Sequence, residues 1–221
     1  MPSVKIPRKS TDFDMTPFVD IAFLILSFFM LATKFKPPEA VEITTPNSVS
    51  SDILPENDAV LISMDKDNRV FFTIRAEKDQ SVMDNIIQYL NTDKNLNLSP
   101  AQMANFRKTP SIGVPFSQLG GLLSTPFDQQ AKVKQPGIPV LDSATNELVW
   151  WLSESKKAFA GSKLLYLIKG DNNATYPTFE AVISALKRND QFKYDLVTSP
   201  EEAPVGTELY KERQGAKKTI K

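Results

Sequence analysis

The sequence predicts an α+β protein: one N-terminal transmembrane helix, then a small α+β domain carrying an irregular insertion. Three observations predict it. Residues 15–33 form a nearly unbroken apolar run with one charge, Asp20. Two β-rich runs, 59–64 and 70–74, bracket a polar turn. The segment 163–198 reads strand, helix, strand.

Composition bounds the chemistry. With 221 residues, the chain holds one ordinary domain plus extensions. Hydrophobic residues at 41% and charged residues at 24% support a folded core and argue against wholesale disorder. Lys plus Arg equals Asp plus Glu at 26 each, so no global field draws the chain onto nucleic acid. Cysteine and histidine are absent. That removes thiolate or imidazole zinc sites, Cys-His and Ser-His-Asp catalysis, and disulfides. A carboxylate-only metal site or a two-carboxylate hydrolase stays open in principle, and nothing in the spacing recommends either. No catalytic residue, metal or cofactor is expected.

The elements follow in order. Residues 1–14 are polar, mixed in charge and too short to fold: a tail. Nineteen residues, Met15 to Thr33, at about 1.5 Å each reach roughly 28 Å, close to the hydrocarbon thickness of a bilayer. A buried core helix is a poor fit to all-round hydrophobicity at the start of a small domain. A cleaved signal peptide needs a small-residue cleavage site, and LATKFKPP is a poor one. A retained transmembrane helix over 15–35 is the reading adopted. Lys5, Arg8 and Lys9 precede it and Lys34 and Lys36 follow, which favours a cytoplasmic N-terminus and a periplasmic remainder only slightly.

Residues 36–57 contain Pro37, Pro38, Pro46 and Pro55, which forbid a continuing helix. They read as a periplasmic linker that spans distance without fixing orientation. The folded domain is expected over 58–200. It begins with the hairpin Ala59–Met64 and Val70–Ile74, then a helix Ser81–Leu90 with Val82, Ile86, Ile87 and Leu90 on one face. Periodicity is then lost through an insertion of about 91–145, rich in proline, with short helices. One is announced by Ser99 as N-cap and Pro100 at the first helical position. A helix Asn146–Phe159, a strand Lys163–Lys169, a helix Pro177–Arg188 and a strand Tyr194–Thr198 complete the domain, the last three as a parallel crossover. Residues 201–221 read as an exposed tail, with Lys217 and Lys218 in solvent. Trp150 and Trp151 suit either a docking surface or, as is usual for adjacent helical aromatics, one core and one boundary position.

Asp20 is the informative residue. A carboxylate in hydrocarbon costs several kcal/mol and escapes the cost by binding a proton, which makes it a candidate proton carrier. The competing reading is a hydrated carboxylate near the membrane surface, since Asp20 lies only about one turn into the run. Thr16 and Ser27 fall within about 40° of Asp20 at 100° per residue, a narrow polar stripe of the kind that faces other helices. Both hydroxyls can also bond back to their own helix.

The run DMTPFVDIAFLILSFFMLATKF resembles the signature of the ExbD/TolR family, a Thr-Pro-Phe-x-Asp start to a single apolar helix: Thr16, Pro17, Phe18 and Asp20. YLIKGDNNATYPTFEAVISALKRNDQFKYDLVT resembles the family's closing strand, loop, helix and strand, with Asp171 and Tyr176 at the loop positions. The resemblance implies a proton-motive-force-coupling subunit of an inner-membrane motor with Asp20 as the protonatable carboxylate. It implies a dimer held with a pentamer of a multi-span ExbB- or TolQ-like proton-channel partner, driving a TonB- or TolA-like transducer. The chain departs from the pattern in its insertion, which would cover an edge strand, dock a partner or fill the dimer. It also departs at Gln191 and Phe192, where the family usually has a glycine. The alternatives are a membrane-tethered structural anchor on peptidoglycan, as in a stator subunit, though no OmpA-like wall-binding pattern is present, and a membrane-anchored enzyme, for which few catalytic side chains remain.

Overall fold

Alternating apolar residues on either side of a DKDN turn make the first hairpin of the folded domain. The structure, a computed structural model, describes residues 15–32, 41–49, 58–76, 81–130, 132–201, 204–208 and 210–211. In chain order the elements are α1 (Thr16–Ala32), β1 (Asn47–Ser48), β2 (Ala59–Met64), β3 (Val70–Arg75), α2 (Ser81–Lys94), α3 (Pro100–Phe106), α4 (Phe116–Ser124), α5 (Phe127–Gln130), α6 (Leu148–Ala158), β4 (Leu165–Gly170), α7 (Tyr176–Arg188), β5 (Asp195–Leu196) and β6 (Ser199–Pro200). The chain divides into two units, 1–37 and 38–221.

The first unit contains α1. Its 17 residues extend about 25 Å. Apolar side chains are exposed all round it: Phe18, Val19, Ile21, Phe23, Leu24 and their successors to Leu31. A helix apolar on every face needs an apolar surrounding. Among the described residues no helix is long and apolar enough to cross a membrane. The expected span continues through Thr33 to residue 35, outside the described residues, as do the 1–14 tail, Lys34, Lys36, Pro37, Pro38, Pro55 and the Lys217–Lys218 pair.

The second unit is built on a four-stranded sheet of order β3-β2-β4-β5. β2 and β3 are antiparallel, Ala59 opposite Arg75 and Met64 opposite Val70. β4 lies parallel to β2, and β5 parallel to β4 through the α7 crossover, as the closing pattern predicts. Period-2 alternation sends Val60, Ile62, Met64 and Phe72 to one face, where Ile86, Leu90, Trp151, Leu152, Val182 and Leu186 of α2, α6 and α7 cover them. Ala59, Leu61 and Leu167 form a smaller cluster on the other face. The hairpin turn is set by buried Asp65, whose carboxylate accepts the Asp67 and Arg69 N–H groups at 3.0 and 2.8 Å and the Arg69 Nε at 2.7 Å.

The insertion does contain short helices, and α3 carries the expected cap: Ser99 and Gln102 form a reciprocal capping box. It is not an appendage, however. Phe106, Ile112, Val114, Leu119, Leu122, Leu123, Ile138 and Val140 all belong to the main core. Of the three roles open to it, the insertion takes the first. Ile112 exchanges backbone hydrogen bonds with Phe72 at 2.7 and 2.8 Å, and Ile138 N–H donates to Val70 at 2.8 Å, so the outer edge of β3 is closed. Gly113 is required there, because a Cβ would meet the Phe71 ring at 2.2 Å.

The two tryptophans divide into core and boundary. Trp151 is fully buried among Phe72, Phe106 and Phe116, ring centroids 5.1, 6.0 and 5.8 Å away. Trp150 is 38% exposed, with Lys94 Nζ over its ring. One expectation changes. Part of the presumed free linker is docked, because β1 pairs in parallel with β6, Asn47 opposite Ser199. Backbone groups of residues 44–48 find partners on the domain, which fixes that stretch relative to it.

Candidate functional site

The residues singled out from the sequence lie in two places. On α1, Thr16 opens the helix and Pro17 occupies its first turn, where the missing N–H costs nothing. Met15 C=O accepts from Phe18 and Val19 N–H at 3.1 Å each. Asp20 follows one turn after Thr16 and is exposed. Ser27 is half-buried. Asp20 is the one ionisable residue between Met15 and Ala32.

The second place is a groove of about 310 Å³ at the C-terminal ends of β2 and β4. That is where side chains and loops of parallel strands converge on ligands in open sheets. Met64 and Ile168 form its floor, Phe179 and Leu196 its apolar walls, and both loop-motif residues, Asp171 and Tyr176, line it. β4 ends at Gly170, and Asp171 N–H donates to Met64 C=O at 2.9 Å, which fixes the loop against β2.

The two loop residues do different work. Asp171 is tied down. Its Oδ1 accepts Asn173 N–H at 2.9 Å and Asn173 Nδ2 at 3.2 Å, and its Oδ2 accepts Thr44 N–H at 2.9 Å. The Asn173 and then the Thr44 backbone N–H groups, with Lys66 adding charge, hold the carboxyl below the usual carboxylate range. A carboxylate held ionised in this way organises a loop; it does not shuttle protons near neutral pH. Tyr176 instead stands 72% exposed at the first position of α7. Its place is set from across the fold. Asn68, in the left-handed region at φ 61°, accepts Thr175 N–H at 2.7 Å and Thr175 Oγ1 at 2.8 Å through Oδ1. Thr175 makes no side-chain cap hydrogen bond, and Asn68 of the hairpin turn instead anchors Thr175 at the entrance to α7.

Sequence reasoning did not single out Asn68, Thr44 or Ser199. Asn68 carried one weak signal, an asparagine at the last position of a DKDN turn. The groove offers apolar walls, one accessible phenol and a fixed anion. Among the described residues no group of three acidic, cysteine or histidine side chains could hold a metal ion.

Comparison with known proteins gives a family match. The family model described as "Biopolymer transport protein ExbD/TolR" matches residues 7–201, which takes in the apolar helix, the insertion and the closing strand–helix–strand. No curated protein matches the chain, and no solved structure does.

Proposed function

Because the chain belongs to the ExbD/TolR family of biopolymer transport proteins, we propose that it is the proton-motive-force-coupling subunit of an ExbB–ExbD- or TolQ–TolR-like inner-membrane motor. Members of the family are typically membrane-associated, work with ExbB/TolQ-type partners and are not known as enzymes. In our reading the helix beginning at Thr16 is the single membrane span. The N-terminus lies in the cytoplasm and the α+β domain in the periplasm. Two copies sit with a pentamer of the multi-span partner, and a TonB- or TolA-like transducer receives the work.

The observation that carries the reading is Asp20, a lone carboxylate in an otherwise apolar helix, at the position of the family's acid. In hydrocarbon its charged form is disfavoured, while next to water or a cationic partner it ionises. A carboxyl group moved between two such surroundings takes up a proton in one and gives it up in the other. Thr16 and Ser27, on the same side of the helix, supply hydroxyls with which a partner helix can bond. Pro17 and Phe18 shape the start of the span. Asp171 and Tyr176 form the periplasmic groove against which a partner segment is positioned.

The test is Asp20→Asn, which keeps size and hydrogen-bonding capacity but cannot cycle between charge states. Insertion and assembly with the larger subunit should survive. Gradient-dependent uptake or envelope integrity, measured at matched protein levels, should be lost. Asp20→Glu keeps the acid but displaces it by a methylene and should be impaired. Normal output from the Asn variant would falsify the proton-carrier role and favour a structural anchor.

A further inference from the structure

On α1 two polar side chains stand without a partner. Between Thr16 and Ala32 the polar side chains are Thr16, Asp20 and Ser27, and the rest are apolar. Among the described residues neither the Asp20 carboxylate nor the Ser27 hydroxyl has a hydrogen-bond partner, whereas Thr16 is engaged. A serine in a helix can bond back to the carbonyl four residues earlier, here Phe23, and Ser27 does not. Ser27 is also the one half-buried residue of α1; every other from Thr16 to Ala32 is exposed.

Position gives the hydroxyl a direction. At about 100° and about 1.5 Å per residue, Ser27 stands about 20° from Asp20 on the same side and about 10 Å further along the axis. Phe23 and Leu24 occupy the height between them, each within about 60° of both. Thr16 lies the other way, one turn before Asp20. With the N-terminus in the cytoplasm, Ser27 is the polar group that a proton meets on its way from the periplasm to Asp20.

We infer that Ser27 is a positioning residue for proton exchange at Asp20: its hydroxyl holds the outer end of a short file of water that crosses the Phe23–Leu24 level to the carboxyl group. A gap of about 10 Å is bridged by about three waters at hydrogen-bonded steps of about 2.8 Å. A hydroxyl suits the post, since it both donates and accepts and so holds a water in either orientation. The step moves protons only. One arrives at the outer water, each water passes one on, and the Asp20 carboxylate becomes the neutral acid, with Ser27 and the waters unchanged. Without the hydroxyl, Phe23, Leu24 and position 27 form an unbroken apolar wall, and spaces lined only by apolar groups stay dry. The inference rests on the reading of Asp20 as the proton carrier in a span whose N-terminus is cytoplasmic.

Two measurements test it, both on the full-length chain in cells that hold the complete motor. The first compares Ser27→Thr with Ser27→Val at matched protein levels and a limiting proton gradient. The two replacements have nearly the same branched shape and differ in the hydroxyl, so the Val variant should lose gradient-driven output about threefold or more while the Thr variant stays within about twofold of the parent. Equal output from the two overturns the inference. The second measurement uses a chain that has no cysteine of its own. Ser27→Cys and Ile25→Cys place a thiol at nearly the same depth on sides about 160° apart. A small cationic thiosulfonate added from the periplasmic side should modify the Ser27→Cys variant about tenfold faster or more, because a thiol must meet water to form the reactive thiolate. Equal rates, or faster reaction of the Ile25→Cys variant, overturn it too. Asp20→Asn separates this inference from the motor reading. Normal output from that variant sinks the carrier role itself, whereas lost output there, with equal output from Ser27→Thr and Ser27→Val, sinks the water file alone.

Discussion

Replacing Trp151 with alanine tests whether the insertion is part of the core. Trp151 sits where the sheet, through Phe72, meets the insertion, through Phe106 and Phe116. It is fully buried, and a Trp→Ala change at such a site costs about 3–5 kcal/mol in lost transfer and residual cavity. The cavity would open where rings of the sheet and of the insertion meet within a packed core, so collapse is limited and the upper half of the range applies, about 4 kcal/mol. Urea unfolding of a fragment covering 38–221, followed by circular dichroism, is the assay. With a slope of about 2 kcal/mol/M, the midpoint should fall by about 2 M. Trp151→Phe should lose much less. It keeps an aromatic ring and removes the indole Nε1, a buried donor with no hydrogen-bond partner, whose desolvation is worth about 1–3 kcal/mol. Trp150→Ala is the internal comparison, at about 1 kcal/mol for a half-exposed ring and its cation–π contact with Lys94. A loss below about 1.5 kcal/mol for Trp151→Ala, or equal losses at 150 and 151, would refute the packing argument.

Three further outcomes are expected. Asn68→Ala removes the acceptor that anchors Thr175 before α7; it should cost about 1–2 kcal/mol in urea unfolding and shift the Tyr176 ring resonances without unfolding the sheet. Asp171 is held below its ordinary pKa by the Asn173 and Thr44 N–H groups, so its contribution is fully present above the unfolded value near about 3.9 and is lost as pH falls through the lowered folded value. Urea midpoints of parent and Asp171→Asn should therefore differ at pH 6 and converge as pH falls through the lowered folded value; a gap that stays constant with pH would contradict this. Gly113→Ala drives a methyl into the Phe71 ring and should destabilise by about 1–3 kcal/mol, while Gly121→Ala, which meets nothing within 4 Å, should be neutral or stabilising by the same assay.

The sequence carried most of the sheet. β2, β3, α2, α6, β4 and α7 each stand within a few residues of their expected bounds, because each is long enough for its apolar period to repeat at least twice. The insertion did not yield to the same reasoning. Its helices span seven, nine and four residues, too short for a period to declare itself, and it is tied to the sheet edge by the backbone bridge between Phe72 and Ile112. The docking of residues 44–48 was hidden for a related reason. Its partners lie more than 120 positions away, and most of the bonds use main-chain groups that every residue possesses. Within the groove, Asp171 and Tyr176 were legible only through resemblance; the hand that places Tyr176, Asn68, lies 107 residues before Thr175 and left almost no local trace.

Closing the β3 edge has a consequence for how many copies can join. A sheet with two open edges is a link in a chain, since each addition exposes a fresh edge and growth has no natural end. Here Ile112 and Ile138 occupy one margin, and among the described residues β5 pairs only with β4 at the other. Edge-to-edge growth of the four-stranded sheet is thereby limited to a single event: two such sheets joined through β5 would turn only their closed β3 margins outward. The insertion is in effect a terminator for that margin of the sheet.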